Sequence, residues 1–442
     1  MRTTMPRLML VLAVPVAVCG DSPSFQPVIS GRLEIKSVAR VEARDTAEAK
    51  QGSPPKKVAR DSQVFQFTRK DGTRVTVVDG KKSPEHQADG GKAAALWSTD
   101  DGQTWTWREG SAEDADCFGP ATAGEKAAIQ LRGTGEILTI SATSLGMKRN
   151  IAGNEAFFQK HPNLVGAKEG YYLNQRRSMD GWLSAPRECG RLDTPHAVML
   201  IGDNGRGSPG FILQHGLIEL ANGDLLATMY GTRKEDQTES NRAGGYPPSF
   251  KMYKSRVIVV RSRDRGRSWG NERQVANRWM AGRDEGDSAS TAGNLEVPAI
   301  TQEGFNEADL AQAPNGDIVC LMRSGGRIST RSAPIYSTPL YLSRSADDGE
   351  TWSTPVQVAP FGVNPDLATL GNGVMAATYA RPGGWIMFST DNGVTWKDHR
   401  QVTNSDSYTA LLATGPNEFV VYYHQSGGVW GEKFRVDIKA GR

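Results

Sequence analysis

Apolar residues recur along this chain with a period of two, in short runs that stop at glycine-containing turns. The clearest case is Glu219-Leu-Ala-Asn-Gly-Asp-Leu-Leu-Ala227, where two alternating segments flank Asn222-Gly223. Asn-Gly supplies the positive φ angles that a tight hairpin requires. Equivalent turns stand at Asp71-Gly72, Gly133-Thr-Gly135, Pro314-Asn-Gly-Asp317 and Gly371-Asn-Gly373. No apolar stretch of period 3.6 is long enough to dominate, so the pattern predicts an all-β chain of short antiparallel strands. Near the C-terminus three more strands are expected, Tyr408–Ala413, Glu418–His424 and Val429–Val436.

A second kind of turn repeats in sequence as well as in shape. Ser98-Thr-Asp-Asp-Gly-Gln-Thr-Trp105, Ser262-Arg-Asp-Arg-Gly-Arg-Ser-Trp269, Ser345-Ala-Asp-Asp-Gly-Glu-Thr-Trp352 and Ser389-Thr-Asp-Asn-Gly-Val-Thr-Trp396 share the pattern Ser-x-Asp-x-Gly-x-Thr/Ser-Trp. A shortened copy is Ser178-Met-Asp-Gly-Trp182. The Asp is expected to bond backbone N–H groups ahead of it, the Gly to take φ > 0, and the Trp to anchor the next segment. These are structural residue types, and nothing in the octapeptide is itself catalytic. Repetition at this scale defines the architecture before any single residue does.

The octapeptide resembles the Asp-box of sialidases and related β-propellers, and the resemblance spans roughly residues 60–440. Counted by these turns, blades run from about Gln63 to Trp105, Ala127 to Trp182, Phe211 to Trp269, Gly304 to Trp352, Val363 to Trp396, and Tyr408 to about Ile438. That implies a six-bladed β-propeller, an architecture that leaves few free strand edges. Only three strands are visible in the last blade, so the segment near Val64–Arg69 is expected to supply the fourth and close the ring. Asn150–Tyr171 and Arg187–Gly210 read as insertions without an assigned place.

Composition narrows the picture at the ends of the chain. The 442 residues carry a net charge of +3 with 23% charged side chains, which gives no electrostatic case for nucleic acid. Arg2 and Arg7 precede an apolar run, Leu8 to Val18, that is too short to span a membrane and reads as an export signal over residues 1–20. Cys19 directly after the run resembles a lipoprotein cleavage site and so a lipid anchor; ordinary signal cleavage nearby is the alternative. Residues 21–60 are polar and read as a flexible tether, leaving 61–442 for the propeller. Apart from Cys19, the cysteines are Cys117, Cys189 and Cys320, an odd set that defines no disulfide framework and matches no metal site. A Cys117–Cys189 bridge and buried free thiols are both open. No motif for a nucleotide, haem or catalytic zinc is present, and no cofactor is expected.

Candidate chemistry lies where polar residues interrupt strand starts and ends. Glu307 opens one strand of a hairpin and Arg323, 16 residues later, ends the returning one. Arg381, in Thr378-Tyr-Ala-Arg381-Pro, holds the position equivalent to Arg323 one blade on, and Tyr408 starts the first strand of the last blade. Two arginines can converge on one carboxylate through charge-assisted, bidentate contacts. In the family resemblance, Glu307 and Arg323 match the blade that carries a catalytic Glu and a substrate-binding Arg, and Tyr408 matches the nucleophilic Tyr. A sialoside carries a carboxylate on its anomeric carbon, which repels a carboxylate nucleophile; a phenol deprotonated by a neighbouring Glu avoids that repulsion.

The family's aromatic-Arg-Ile-Pro stretch, source of a third carboxylate-binding Arg, has no counterpart. The nearest match is Phe211-Ile-Leu-Gln-His215, with His215 in the Arg position and available as an acid or base. The general acid is sought in Thr232–Arg242, which offers Asp236, Glu235 and Glu239. Three functions are consistent with these residues. The leading one is an exported exo-glycosidase of sialidase type acting on carboxylated sugars. The second is a lyase or hydrolase for uronate polysaccharides using Tyr408 and His215. The third is a non-catalytic propeller that binds glycans or proteins.

Overall fold

Each intact octapeptide closes on itself through the same set of hydrogen bonds. In Ser345–Trp352 the Ser345 hydroxyl donates to Asp347 Oδ1 (2.8 Å) and accepts from Gly349 N (2.8 Å), while Asp347 Oδ1 accepts from Thr351 N (2.8 Å). Thr351 Oγ1 donates to Asp347 Oδ2 at 2.5 Å, and Trp352 Nε1 returns to Gly349 O at 3.1 Å. The other three copies repeat these contacts. The Gly and the residue before it both take left-handed φ, 57° and 87° for Asp348 and Gly349. Hydrogen bonds to Thr351 and Ser345 outweigh the small effect of burial and hold the Asp347 carboxyl below its ordinary range. These aspartates are fully engaged as staples.

The computed structural model describes residues 31–51, 64–80, 94–109, 125–146, 171–179, 187–193, 198–199, 213, 215–233, 253–276, 302–324, 339–426 and 428–439. Over these the chain is a six-bladed β-propeller with almost no helix. Blade one comprises Val64–Thr68, Arg74–Gly80, Ala94–Ser98 and Thr106–Glu109, and blade two Glu125–Gln130, Ile137–Gly146, Tyr171–Ser178 and Arg187–Leu192. Blade three is Leu217–Glu219, Leu225–Arg233, Tyr253–Ser262 and Ser268–Ala276, and blade four Gln302–Gln312, Ile318–Ser324, Leu340–Ser345 and Val356–Ala359. Blade five is Val363–Thr369, Met375–Ala380, Gly384–Ser389 and Lys397–Thr403. The octapeptide joins the third and fourth strands of its blade. Arg187–Leu192, at the start of a segment without an assigned place in the sequence, is the outer strand of blade two.

Ring closure differs from the sequence expectation. Blade six takes Thr409–Ala413, Glu418–Gln425 and Gly428–Lys439 from the C-terminus, and its fourth strand is Arg32–Ala43, antiparallel to Gly428–Lys439 from Arg32↔Lys439 to Ala43↔Val429. Val64–Thr68 instead pairs with Arg74–Gly80 inside blade one. The closing strand lies in the stretch expected to be a tether. Its alternation is faint because it is an edge strand with one wet face: Leu33 and Ile35 are buried while Glu34, Lys36 and Arg40 mark the polar side.

Packing between blades uses the octapeptide Trp as a wedge into the preceding blade. Trp269 of blade three sits among Leu138 and Ile140 of blade two, Trp352 packs with Leu226 of blade three, and Trp396 with Val319 and Leu321 of blade four. Trp105 of blade one meets Tyr422 of blade six edge-on at 6.4 Å, which joins the two ends of the chain. A second repeating link was legible in the sequence but not read there. Arg177, Arg261 and Arg344 directly precede the Ser of three successive turns, and Glu136, Asp224 and Asp317 directly follow the hairpin glycines of the same blades. Each Arg pairs with that acid (3.0, 2.9 and 2.6 Å) and donates to a carbonyl in the next blade's turn, that of Arg265, Asp348 or Asn392 respectively.

Candidate active site

Inner strands of neighbouring blades do not pair in a ladder, so their backbone N–H groups need other acceptors. Side-chain carboxylates provide them. Asp309 Oδ2 accepts from Leu367 N at 2.6 Å, Asp366 Oδ2 from Leu411 N at 2.8 Å, and Glu307 Oε2 from Asn364 N at 3.0 Å. The six inner strands line an axial cavity of about 500 Å³, to which His215, Asp309 and Asp366 contribute.

Glu307 and Asn364 occupy matching irregularities. The ladder of blade four shifts between Asn306 and Ala308, and that of blade five between Val363 and Asp366. Glu307 has φ 30° and Asn364 φ 49°, values that side-chain-bearing residues rarely adopt. Bulges re-aim side chains, and strained backbone of this kind concentrates at functional sites. Both residues stand nine positions before their hairpin glycines, Gly316 and Gly373.

The structure brings four of the sequence candidates together. Tyr408, immediately before the inner strand of blade six, donates its hydroxyl to Glu307 Oε1 at 3.1 Å. Arg323 Nη1 reaches the same oxygen at 3.0 Å. Arg381 lies with its guanidinium 4.6 Å from the centroid of the Tyr408 ring, and its Nε donates to Asp406 O at 3.0 Å. Glu307 is 7% exposed. Burial alone pushes its pKa up, but the Arg323 charge and the hydrogen bonds from Asn364, Arg323 and Tyr408 outweigh it, so the carboxyl stays below its ordinary value. The Glu307 charge, followed by burial, raises the Tyr408 phenol. The resting pair is therefore an ionised carboxylate accepting from a neutral phenol.

His215 is joined to this group at one remove. Its Nε2 meets Asn364 Oδ1 at 2.9 Å, and its Nδ1 lies 4.0 Å from Asp366 Oδ2. Asp236, Glu235 and Glu239 lie outside the described residues, as do Cys19 and Cys117. Cys320 is a buried free thiol, raised by burial and by nearby Asp309. Four residues escaped the sequence reading: Asn364, Asp309, Asp366 and Tyr230. Tyr230 is buried in the same electrostatic neighbourhood as Glu307, Tyr408 and Arg323, and burial above all raises its hydroxyl. The spacing to the hairpin glycine is the signal that marks Asn364 as the counterpart of Glu307.

No protein-family model and no curated protein matches the sequence. Solved structures do match its fold. A protein of unknown function from Dyadobacter fermentans aligns with TM-score 0.55 at 17% identity over 91% of this chain and 99% of its own. The Hadza microbial sialidase Hz136 aligns at 0.53 and 15% identity over 90% and 68%. The α-L-arabinofuranosidase Arb93A from Fusarium graminearum, solved with an iminosugar inhibitor, aligns at 0.53 and 14% identity over 90% and 98%. At these identities the likeness establishes the propeller, and the chemistry has to be argued from the site.

Proposed function

We propose that this protein is a glycoside hydrolase of sialidase type, removing terminal carboxylated sugars by double displacement at Tyr408. The observation that carries the reading is the hydrogen bond from the Tyr408 hydroxyl to an ionised, buried Glu307. A phenol is a poor nucleophile until a base accepts its proton, and Glu307 is within reach to do so.

In the first step Tyr408 Oη bonds to the anomeric carbon as the bond to the aglycone oxygen breaks. The phenolic proton passes to Glu307 Oε1, and the aglycone leaves with a proton from a general acid, for which Asp236, Glu235 and Glu239 remain the sequence candidates. In the second step water gives a proton to the now deprotonated general acid and attacks the anomeric carbon, the tyrosyl–sugar bond breaks, and Glu307 returns its proton to Tyr408. Arg323 and Arg381 flank the pair and would hold the sugar carboxylate, with Arg323 also keeping Glu307 ionised. The structural kinship with a sialidase and an arabinofuranosidase is consistent with a carbohydrate substrate. The basic and apolar N-terminal segment supports export, where such glycans are met.

Purified protein tested on fluorogenic sialosides of several linkages should release the fluorophore, and Tyr408→Phe should not. Wild-type protein that binds sialosides without turning any over would point instead to a glycan-binding propeller.

A further inference from the structure

We infer that His215 is a positioning residue: through the Asn364 side chain it fixes the geometry of the Glu307–Tyr408 pair. The inference rests on the roles proposed above for those two residues. It assigns His215 to orientation, and leaves the acid to another group.

Asn364 is fully buried, and three of its contacts tie the site together. Its backbone N–H bonds Glu307 Oε2 at 3.0 Å. Its side-chain Nδ2 donates to Thr409 O at 3.2 Å, on the residue that follows Tyr408. Its Oδ1 faces His215 Nε2 at 2.9 Å. One residue thus holds the base on one side and the backbone beside the nucleophile on the other.

The amide orientation is dictated by its partners. Thr409 O can only accept, so the amide nitrogen faces it and the amide oxygen faces the imidazole. His215 Nε2 must then carry a hydrogen, and the ring is used as a donor. Without that donor the buried Asn364 oxygen loses a hydrogen bond, and the hold on the amide orientation is weakened. Rotation releases Thr409 and lets the left-handed backbone at Asn364 relax, which moves the N–H that fixes Glu307. A shift of about 1 Å in a reacting group can cost on the order of 100-fold in rate.

Substituting His215 by Leu, Gln and Asn separates this role from simple packing. The Gln amide nitrogen stands as many bonds from the backbone as His Nε2, so His215→Gln restores the donor. The Asn amide reaches only the Nδ1 position, so His215→Asn does not. For His215→Leu, kcat on a sialoside is expected to fall roughly 100-fold with KM little changed, and His215→Gln should recover most of it at equal thermal stability. The crystal structure of His215→Leu is expected to show the Asn364 amide turned and the Glu307–Tyr408 contact lengthened.

A Leu variant with wild-type kcat, a loss confined to KM, or a Gln variant no better than Leu overturns the inference. So does a Leu crystal structure in which the Tyr408–Glu307 contact is kept, and that measurement stands even where the wild type turns over no glycoside. Turnover by the wild type, abolished by Tyr408→Phe but indifferent to His215, leaves the glycosidase reading intact and removes only the positioning role.

Discussion

Tyr408, just before the inner strand of blade six, and Glu307, at a bulge in the inner strand of blade four, meet at 3.1 Å. The phenol approaches the carboxylate as donor to acceptor, with the Glu307 charge holding the Tyr408 proton in place. Glu307→Gln removes both the base and that charge. Activity is expected to fall about 10²–10⁴-fold, and the Tyr408 phenol should ionise at lower pH than in the wild type. Ultraviolet titration with Tyr408→Phe as the blank reads the second effect; an unmoved midpoint would mean the two groups are not coupled.

On the proposed mechanism Arg323 sets the acidic limit of the reaction. Its charge is the main influence that keeps Glu307 below its ordinary value of 4.5 against the opposing effect of burial. In the wild type the base is lost only as pH falls through that lowered pKa, so the acidic limb of kcat/KM should lie below pH 4.5. In Arg323→Met burial is opposed only by the Asn364 and Tyr408 hydrogen bonds, so the Glu307 pKa rises and the limb should move to higher pH. The same change leaves a buried carboxylate without its partner, a loss of roughly 3–5 kcal/mol, so the profile must be taken well below the variant's Tm. An acidic limb at the same pH in both proteins contradicts the assignment of Glu307 as base.

The axial carboxyl pair predicts a stability effect of opposite sign. Asp309 is raised well above its ordinary value, first by burial and then by the Asp366 charge. The folded chain therefore holds this proton where the unfolded chain releases it, at a pH near 4. The stabilising contribution is complete below that pH and declines as pH rises toward the folded pKa. Asp309→Asn keeps an acceptor for Leu367 N and offers Asp366 a permanent donor. Its Tm relative to wild type should improve steadily as pH is raised from 4 towards neutrality, and parallel Tm curves would show that the proton is not shared.

The fold was legible because hairpin glycines and octapeptides are local signals repeated at every blade, each with a fixed backbone requirement. Closure was not, because Arg32–Ala43 is an edge strand whose partner lies almost 400 residues away in sequence, at Gly428–Lys439. Arg323, Arg381 and Tyr408 could be picked out because each stands at a strand end counted from a turn, whereas Glu307, expected to open a strand, sits at a bulge in the middle of Gln302–Gln312. Asn364 was missed although it has the same count as Glu307, since an amide in Val363-Asn364-Pro365 looks like turn chemistry. Its meaning depends on three contacts to other blades, which no local pattern encodes. The acidic residue Asp366 was passed over for the same reason.

The recurring arginines give a test of how the blades hold together. Arg261 has a side chain only 5% exposed, pairs with Asp224 at 2.9 Å and reaches the Asp348 carbonyl of blade four. Arg261→Met fills the space but leaves Asp224 and that carbonyl without their donor. Arg263 stays 3.9 Å from Asp224 and softens the loss, so about 3 kcal/mol is expected, the lower end for breaking a buried pair. Arg435→Met, which removes a solvent-facing contact to Glu418, should leave Tm nearly unchanged. Equal effects from the two would mean that the inter-blade carbonyl contact contributes nothing.

Gly349 tests whether the octapeptide works through its backbone or merely through its Trp. Its φ is 87°, and a Cβ placed there would stand 2.9 Å from Leu226 Cδ1 of blade three. Gly223 has nearly the same φ, 86°, but a Cβ there meets nothing within 4 Å. Gly349→Ala therefore carries both the left-handed penalty and a clash across the blade boundary, while Gly223→Ala carries only the first. The backbone penalty is roughly 1–2 kcal/mol, common to both. Urea unfolding should show Gly349→Ala losing that amount and a further increment of roughly 1–3 kcal/mol from overpacking. If the two variants are equally destabilised, Leu226 yields without cost, and the octapeptide acts as a turn alone. If Gly349→Ala is worse, as the geometry requires, the turn is also part of the wedge that fixes blade four against blade three, and through it the position of Glu307 and Arg323.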